Sequence, residues 1–145
     1  MKNCMIQSKV RNINREKSMR RKRKKRVFVS FDFDNDRALK DFIVGQSRLP
    51  DSPFEIADWS MKEAAPQRNW KREARRRIKR SNKVIVMAGR KTRKAPGVTQ
   101  EVKMARDEGI PVIQIIGHKN KKCPRVPDAG RRYRWTWENL KKQLS

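Results

Sequence analysis

The chain has 145 residues, enough for one domain with its own core. Two cysteines and one histidine exclude a disulfide framework and a Cys/His zinc set, which leaves no metal site to expect. Hydrophobic residues make up 35% and charged residues 38%, so part of the chain is expected outside the packed core.

The net charge of +25 is unevenly spread. Residues 1–25 hold eleven Lys/Arg and one Glu, and the remaining 120 hold 29 Lys/Arg and 14 Asp/Glu. Such a field attracts polyanions: nucleic acid, acidic proteins, anionic lipid or phosphorylated small molecules. No apolar leader opens the chain, and the longest apolar runs fall far short of the roughly 20 residues a membrane helix needs. A cytoplasmic location without membrane contact is expected, or a nuclear one in a host with a nucleus.

Residues 1–25 read as a disordered basic tail, ending in Arg20, Arg21, Lys22, Arg23, Lys24 and Lys25. Residues 26–145 read as the folded domain. Val27-Phe28-Val29-Ser30-Phe31 is a nearly continuous apolar run, expected as a strand buried on both faces. Asp32 to Asp36 supplies turn chemistry, with Asp34, Asn35 or Asp36 as an N-cap. A helix follows, carrying Leu39, Phe42 and Ile43 on one side. Residues 54–57 form a second short strand, ending at Asp58-Trp59-Ser60.

Trp70, Ala74 and Ile78 recur every fourth residue, so a helix over 67–80 has one apolar stripe and Trp70 belongs in the core. Its other faces are dense in cations, including Arg72, Arg75 and Arg76. Val84-Ile85-Val86-Met87-Ala88 is the clearest strand. A basic loop over 89–97 leads to a helix over 98–108, with Gly109 at its C′ position and Pro111 beyond. Residues 112–116 form the fourth strand, 118–134 a polar basic loop, and Thr136 caps a last helix.

Strict alternation of buried strands and helices predicts an α/β domain: three layers, flavodoxin-like, a parallel sheet of four to five strands in the order 2-1-3-4, helices on both faces. Ligands of such sheets bind beyond the carboxyl ends of the strands, at the switch point. That places residues 31–36, 58–60 and 89–97 around one crevice. The acidic turn after strand one repels phosphate, against a flavin site. A phospho-acceptor receiver would want an Asp at the end of strand three, where Met87-Ala88-Gly89 stands instead. No GxGxxG or Walker loop occurs.

Residues 27–32, the stretch Asp51-Ser52-Pro53-Phe54-Glu55-Ile56-Ala57-Asp58-Trp59-Ser60, Asn69-Trp70-Lys71, Arg77-Ile78-Lys79-Arg80-Ser81 and Gly97-Val98-Thr99-Gln100-Glu101 resemble the TIR-like family that includes the ThsB proteins of Thoeris anti-phage defence. The resemblance implies a TIR-like fold and cleavage of NAD, as substrate rather than cofactor, at the nicotinamide–ribose bond. The product that the resemblance implies is ADP-ribose, free or cyclised, signalling to a downstream effector. It also implies a glutamate at the start of the helix after strand three, here Glu101.

A carboxylate beside the ribose suits the oxocarbenium-like charge of glycosidic cleavage. Phe31 or Trp59 can stack on a base. Lys91, Arg90 or Arg93 can face the pyrophosphate, and Asp32, Asp34, Asp58, Ser60 and Gly89 complete the substrate wall. Structural readings stand beside these. A first-turn Glu101 would complement the helix dipole, Trp59 would serve as core, and the cationic helix face would be solvated surface. Cys4 and Cys123 read as inert, and His118 carries no role.

TIR-type sites are commonly completed by a neighbouring protomer, so a homo-oligomer is implied, although this charge opposes self-association unless a polyanion neutralises it. The alternative function is a non-catalytic TIR-like scaffold. Its basic tail, with Arg72, Arg75 and Arg76, would then dock nucleic acid or an acidic protein.

Overall fold

The structure, a computed structural model, describes residues 23–61 and 67–145. The predicted tail residues Arg20, Arg21 and Lys22, together with Cys4, lie outside the described residues.

The apolar runs are the strands. β1 (Lys25–Ser30), β2 (Phe54–Trp59), β3 (Lys83–Ala88) and β4 (Val112–Ile116) pair in parallel in the expected order, and β5 (Arg132–Arg134) extends the sheet to 2-1-3-4-5. β1 starts two residues before its apolar run, so Lys25, expected in the tail, opens the strand and pairs with Phe54. β5 corrects the expectation of a loop through residue 134. The β4 side chain of Gln114, fully buried, organises its approach: Nε2 donates to the carbonyls of Val126 and Gly130, and Oε1 accepts the Val126 N–H.

Helices α1 (Arg37–Ser47), α2 (Gln67–Lys79), α3 (Pro96–Asp107) and α4 (Trp137–Gln143) cover both faces. Side chains alternate across each strand. Val27, Val29, Ile85 and Met87 pack with Leu39 and Ile43 of α1 and Leu140 of α4. Phe28 and Val84 face the other way, onto Trp70, Ala74 and Ile78 of α2 and Met104 and Ala105 of α3. The four-residue stripe of α2 is therefore core, Trp70 included. Each such large apolar side chain stabilises the fold by about 1.5–3 kcal/mol on burial. Gly109 ends α3 at φ +68°, the left-handed C′ conformation its position predicted. Thr136 caps α4 by accepting the Asn139 N–H.

One irregularity positions the site. Val27 pairs with Ile56 but Phe28 pairs with Asp58, so Ala57 is passed over between β1 and β2. An extra residue in a strand reverses the facing of everything after it. Phe54 and Ile56 face α1 and α4. Simple alternation would send Asp58 and Ser60 to that face as well. The shift turns them to the α2/α3 face and sends Trp59 to the α1 face, where Lys40 lies 4.8 Å from its ring. Among the described residues no helix is long and apolar enough to cross a membrane.

Candidate functional site

The carboxyl ends of β1 and β2 and the beginning of α3 enclose a cavity of about 340 Å³. Phe31, Asp32, Asp34, Ser60 and Glu101 line it, all five expected from the sequence. Phe33, Met61 and the turn Ala95-Pro96-Gly97 complete much of the remaining wall.

Glu101 is the most constrained of these residues. It is 1% exposed and sits on α3 against the sheet. A buried carboxylate is costly unless hydrogen-bonded. Oε1 accepts the Ser30 hydroxyl at 2.9 Å and the Ser60 hydroxyl at 2.5 Å. Ser60 Oγ in turn accepts the Phe31 N–H at 3.0 Å. Ser30 faces α3 because it is two residues from Phe28, and Ser60 does so because of the shift at Ala57. The ends of β1 and β2 thus fix one carboxylate oxygen of α3.

Helix α3 begins at Pro96, two residues earlier than expected. Glu101 is therefore in the second turn rather than the first. The dipole effect fades within the first turn, so a simple dipole complement does not account for this residue.

The turn after β1 is held by Asp32, which accepts the Asp34 N–H at 3.2 Å and the Asn35 side-chain amide at 2.7 Å. Asp36 occupies the N-cap position of α1 but makes no side-chain cap bond. Its carboxylate accepts the Thr92 hydroxyl at 2.9 Å, while Thr92 Oγ1 accepts the Gly89 N–H at 2.7 Å. This knot ties the loop after β3 to the turn after β1. Burial raises the Asp36 pKa above the usual carboxylate range; the Thr92 hydrogen bond opposes this, nearby Asp32 adds to it, and His118 opposes it.

Other expected site residues lie elsewhere. Asp58 is bound to Arg77 at 2.6 Å on the α2 face. Trp59 is 38% exposed and absent from the cavity wall, and from the core as well. Gly89 is buried behind Asp36: a Cβ there would lie 2.2 Å from Asp36 Oδ2. Lys91 is exposed at the start of a 3-10 turn (Thr92–Lys94) and does not reach the cavity wall, nor do Arg90 and Arg93. Of the helical cations, Arg72 and Arg76 are exposed and Arg75 is half-buried. Arg75 pairs with Glu108 at 2.9 Å and Arg76 with Glu73 at 3.1 Å. Arg23, Lys24 and Lys25 are exposed.

Ser30 and Phe33 were not expected. A lone serine inside the apolar run of β1 is the signal for the first. The second is the one aromatic in the acidic turn, half-buried, stacked on Phe31 at 5.9 Å with Arg37 4.3 Å from its ring centroid.

The described wall carries three carboxylates, Asp32, Asp34 and Glu101, and no cation. Such a wall suits a cationic or hydroxyl-rich group beside an aromatic face and repels phosphate. No group of His, Cys, Asp and Glu among the described residues could hold a metal ion.

The family model described as Thoeris protein ThsB, TIR-like domain, matches residues 28–122, a span that contains the cavity, Glu101 and both serines. No curated protein matches the chain.

Proposed function

The chain belongs to the TIR-like domain family of the Thoeris protein ThsB and is a signalling protein of anti-phage defence; from that premise we propose that its cavity cleaves the nicotinamide–ribose bond of NAD. The product is ADP-ribose or a cyclised form of it. The observation that carries this reading is Glu101, buried at the cavity floor and held through one oxygen by Ser30 and Ser60.

Nicotinamide in NAD is cationic, and its departure leaves positive charge on the ribose. A fixed carboxylate stabilises that charge as it develops and accepts hydrogen bonds from the ribose hydroxyls. Its position costs no reorganisation at the moment of reaction. The acidic wall accommodates the nicotinamide riboside half, and Phe33 offers its ring to the planar base. The pyrophosphate belongs outside this wall, whose three carboxylates repel it.

The test is nicotinamide release from NAD by the full chain, with separation of the products. Glu101→Gln keeps the shape and removes the charge. It should abolish turnover while the thermal transition persists. Undiminished turnover in Glu101→Gln would remove the carboxylate from the mechanism, and a wild-type chain that never releases nicotinamide would favour the scaffold reading.

A further inference from the structure

The cations of this chain divide into two kinds. Four of those on α2 are matched: Arg75 and Lys79 pair with Glu108, Arg76 and Arg77 with Glu73, and Arg77 also with Asp58. The loops that follow β3 and β4 are different. Residues 90–94 carry four Lys/Arg, residues 119–125 carry four more, and neither stretch contains an acid. All eight are exposed. None of them forms an ion pair among the described residues.

The sheet places these loops together. β3 and β4 are parallel neighbours, with Ala88 opposite Ile116, so both loops leave the same edge side by side. Arg90, Lys121 and Lys122, with Asn120 and Pro124, line an open groove of about 460 Å³ whose described wall has no acid. Like charges crowded on adjacent loops repel one another, and a polyanion relieves that repulsion.

We propose that this face docks the phosphate backbone of a nucleic acid. The surface is distinct from the NAD cavity and does not depend on the NAD reading. Neither loop stretch contains an aromatic residue, so base stacking contributes nothing and backbone contacts dominate. An anionic membrane asks for apolar anchors beside the cations. The large exposed hydrophobics among the described residues, Phe42, Leu49 and Trp59, lie instead on α1, the loop after it and β2, at the far edge of the sheet. A folded acidic protein would want an apolar centre to its interface, which this face also lacks.

The experiment measures binding of a fluorescent duplex to the full chain across a salt series. Two variants each remove three charges: R90Q/K121Q/K122Q from the loops and R75Q/R76Q/K79Q, all three ion-paired, from α2. The tail is common to both, and equal charge loss holds the long-range field constant. The loop variant should lower affinity about tenfold or more and reduce the slope of log K against log salt by about 2–3, one phosphate contact contributing about 0.9. The helix variant should change affinity by less than about threefold. Lys121→Gln and Arg76→Gln make the same comparison if a triple variant fails to fold. Equal losses from both variants would overturn the assignment, as would a larger loss from the helix variant. So would a chain that ignores duplex but binds phosphatidylserine vesicles through Lys121.

Discussion

Ser60 donates its hydroxyl to Glu101 Oε1 across 2.5 Å, linking the end of β2 to the second turn of α3. Ser60 Oγ itself accepts the Phe31 N–H, so one small side chain orients the carboxylate and the turn after β1 together. Ser60→Ala removes one of the two hydroxyls that donate to Glu101 Oε1 among the described residues and should cost about 1–3 kcal/mol of stability, readable in urea melts. A carboxylate displaced by about 1 Å should lose about 100-fold in NAD turnover. Ser60→Thr keeps a hydroxyl at the same place and should recover most of the activity. Equal loss in both variants would mean that Ser60 matters for packing and not for its hydrogen bond.

Gly89 should tolerate no side chain. A Cβ would stand 2.2 Å from Asp36 Oδ2 and 2.6 Å from Oδ1, and that carboxylate is short, buried and bonded to Thr92. Gly89→Ala should destabilise by about 1–3 kcal/mol, the usual cost of overpacking. The loop from Arg90 to the cavity wall at Ala95 is tied to α1 through this knot, so proteolysis within residues 90–95 should accelerate in the variant.

Most of the sheet was legible because its strands are buried on both faces. Val84-Ile85-Val86-Met87-Ala88 admits no other reading once Gly89 closes it, and Gly109 before Pro111 marks the end of α3. β5 was not legible. Arg132-Tyr133-Arg134 has no apolar run, and its strand geometry comes from pairing with β4, where Gln114 pins the incoming loop. The site was half legible for a related reason. Asp32, Asp34, Ser60 and Glu101 do line the cavity. Trp59 does not, because the register shift at Ala57 turns it to the α1 face, and nothing local in Phe54-Glu55-Ile56-Ala57 announces it; Asp58 shares the face of Ser60 but is held by Arg77 on α2.

That facing makes a contrast that substrate affinity can read. Phe33 lines the cavity while Trp59 lies beside Lys40 on the α1 face. Phe33→Ala should raise the KM for NAD about tenfold, an aromatic contact being worth about 0.5–1.5 kcal/mol beyond its area. Trp59→Ala, like other surface changes, should stay within about twofold. The reverse ranking would return the base-stacking role to Trp59 and imply a cavity that extends across β2.

Asp36 should give the fold a measurable dependence on pH. Burial is the main reason its carboxyl titrates above the usual range, with Asp32 in support and with the Thr92 hydrogen bond and His118 in opposition. A carboxyl raised on folding binds its proton more tightly in the folded state. Its contribution to stability is therefore fully present below the ordinary carboxylate pKa and is lost as pH rises through the raised value. Thr92 can serve both states, since its hydroxyl lies 2.9 Å from Asp36 Oδ2 and 3.3 Å from the Met87 carbonyl. Asp36→Asn removes the titration and keeps the shape. The stability of the wild type minus that of Asp36→Asn should fall as pH rises from below the ordinary carboxylate pKa through the raised folded value, measured by urea unfolding at each pH. Taking the difference cancels the other carboxylates, including Asp51 and Glu73, whose lowered pKa values push the opposite way. A difference that grows with pH would mean that the Thr92 hydrogen bond to the ionised carboxylate outweighs burial, and the knot behind Gly89 would then be held by charge rather than in spite of it.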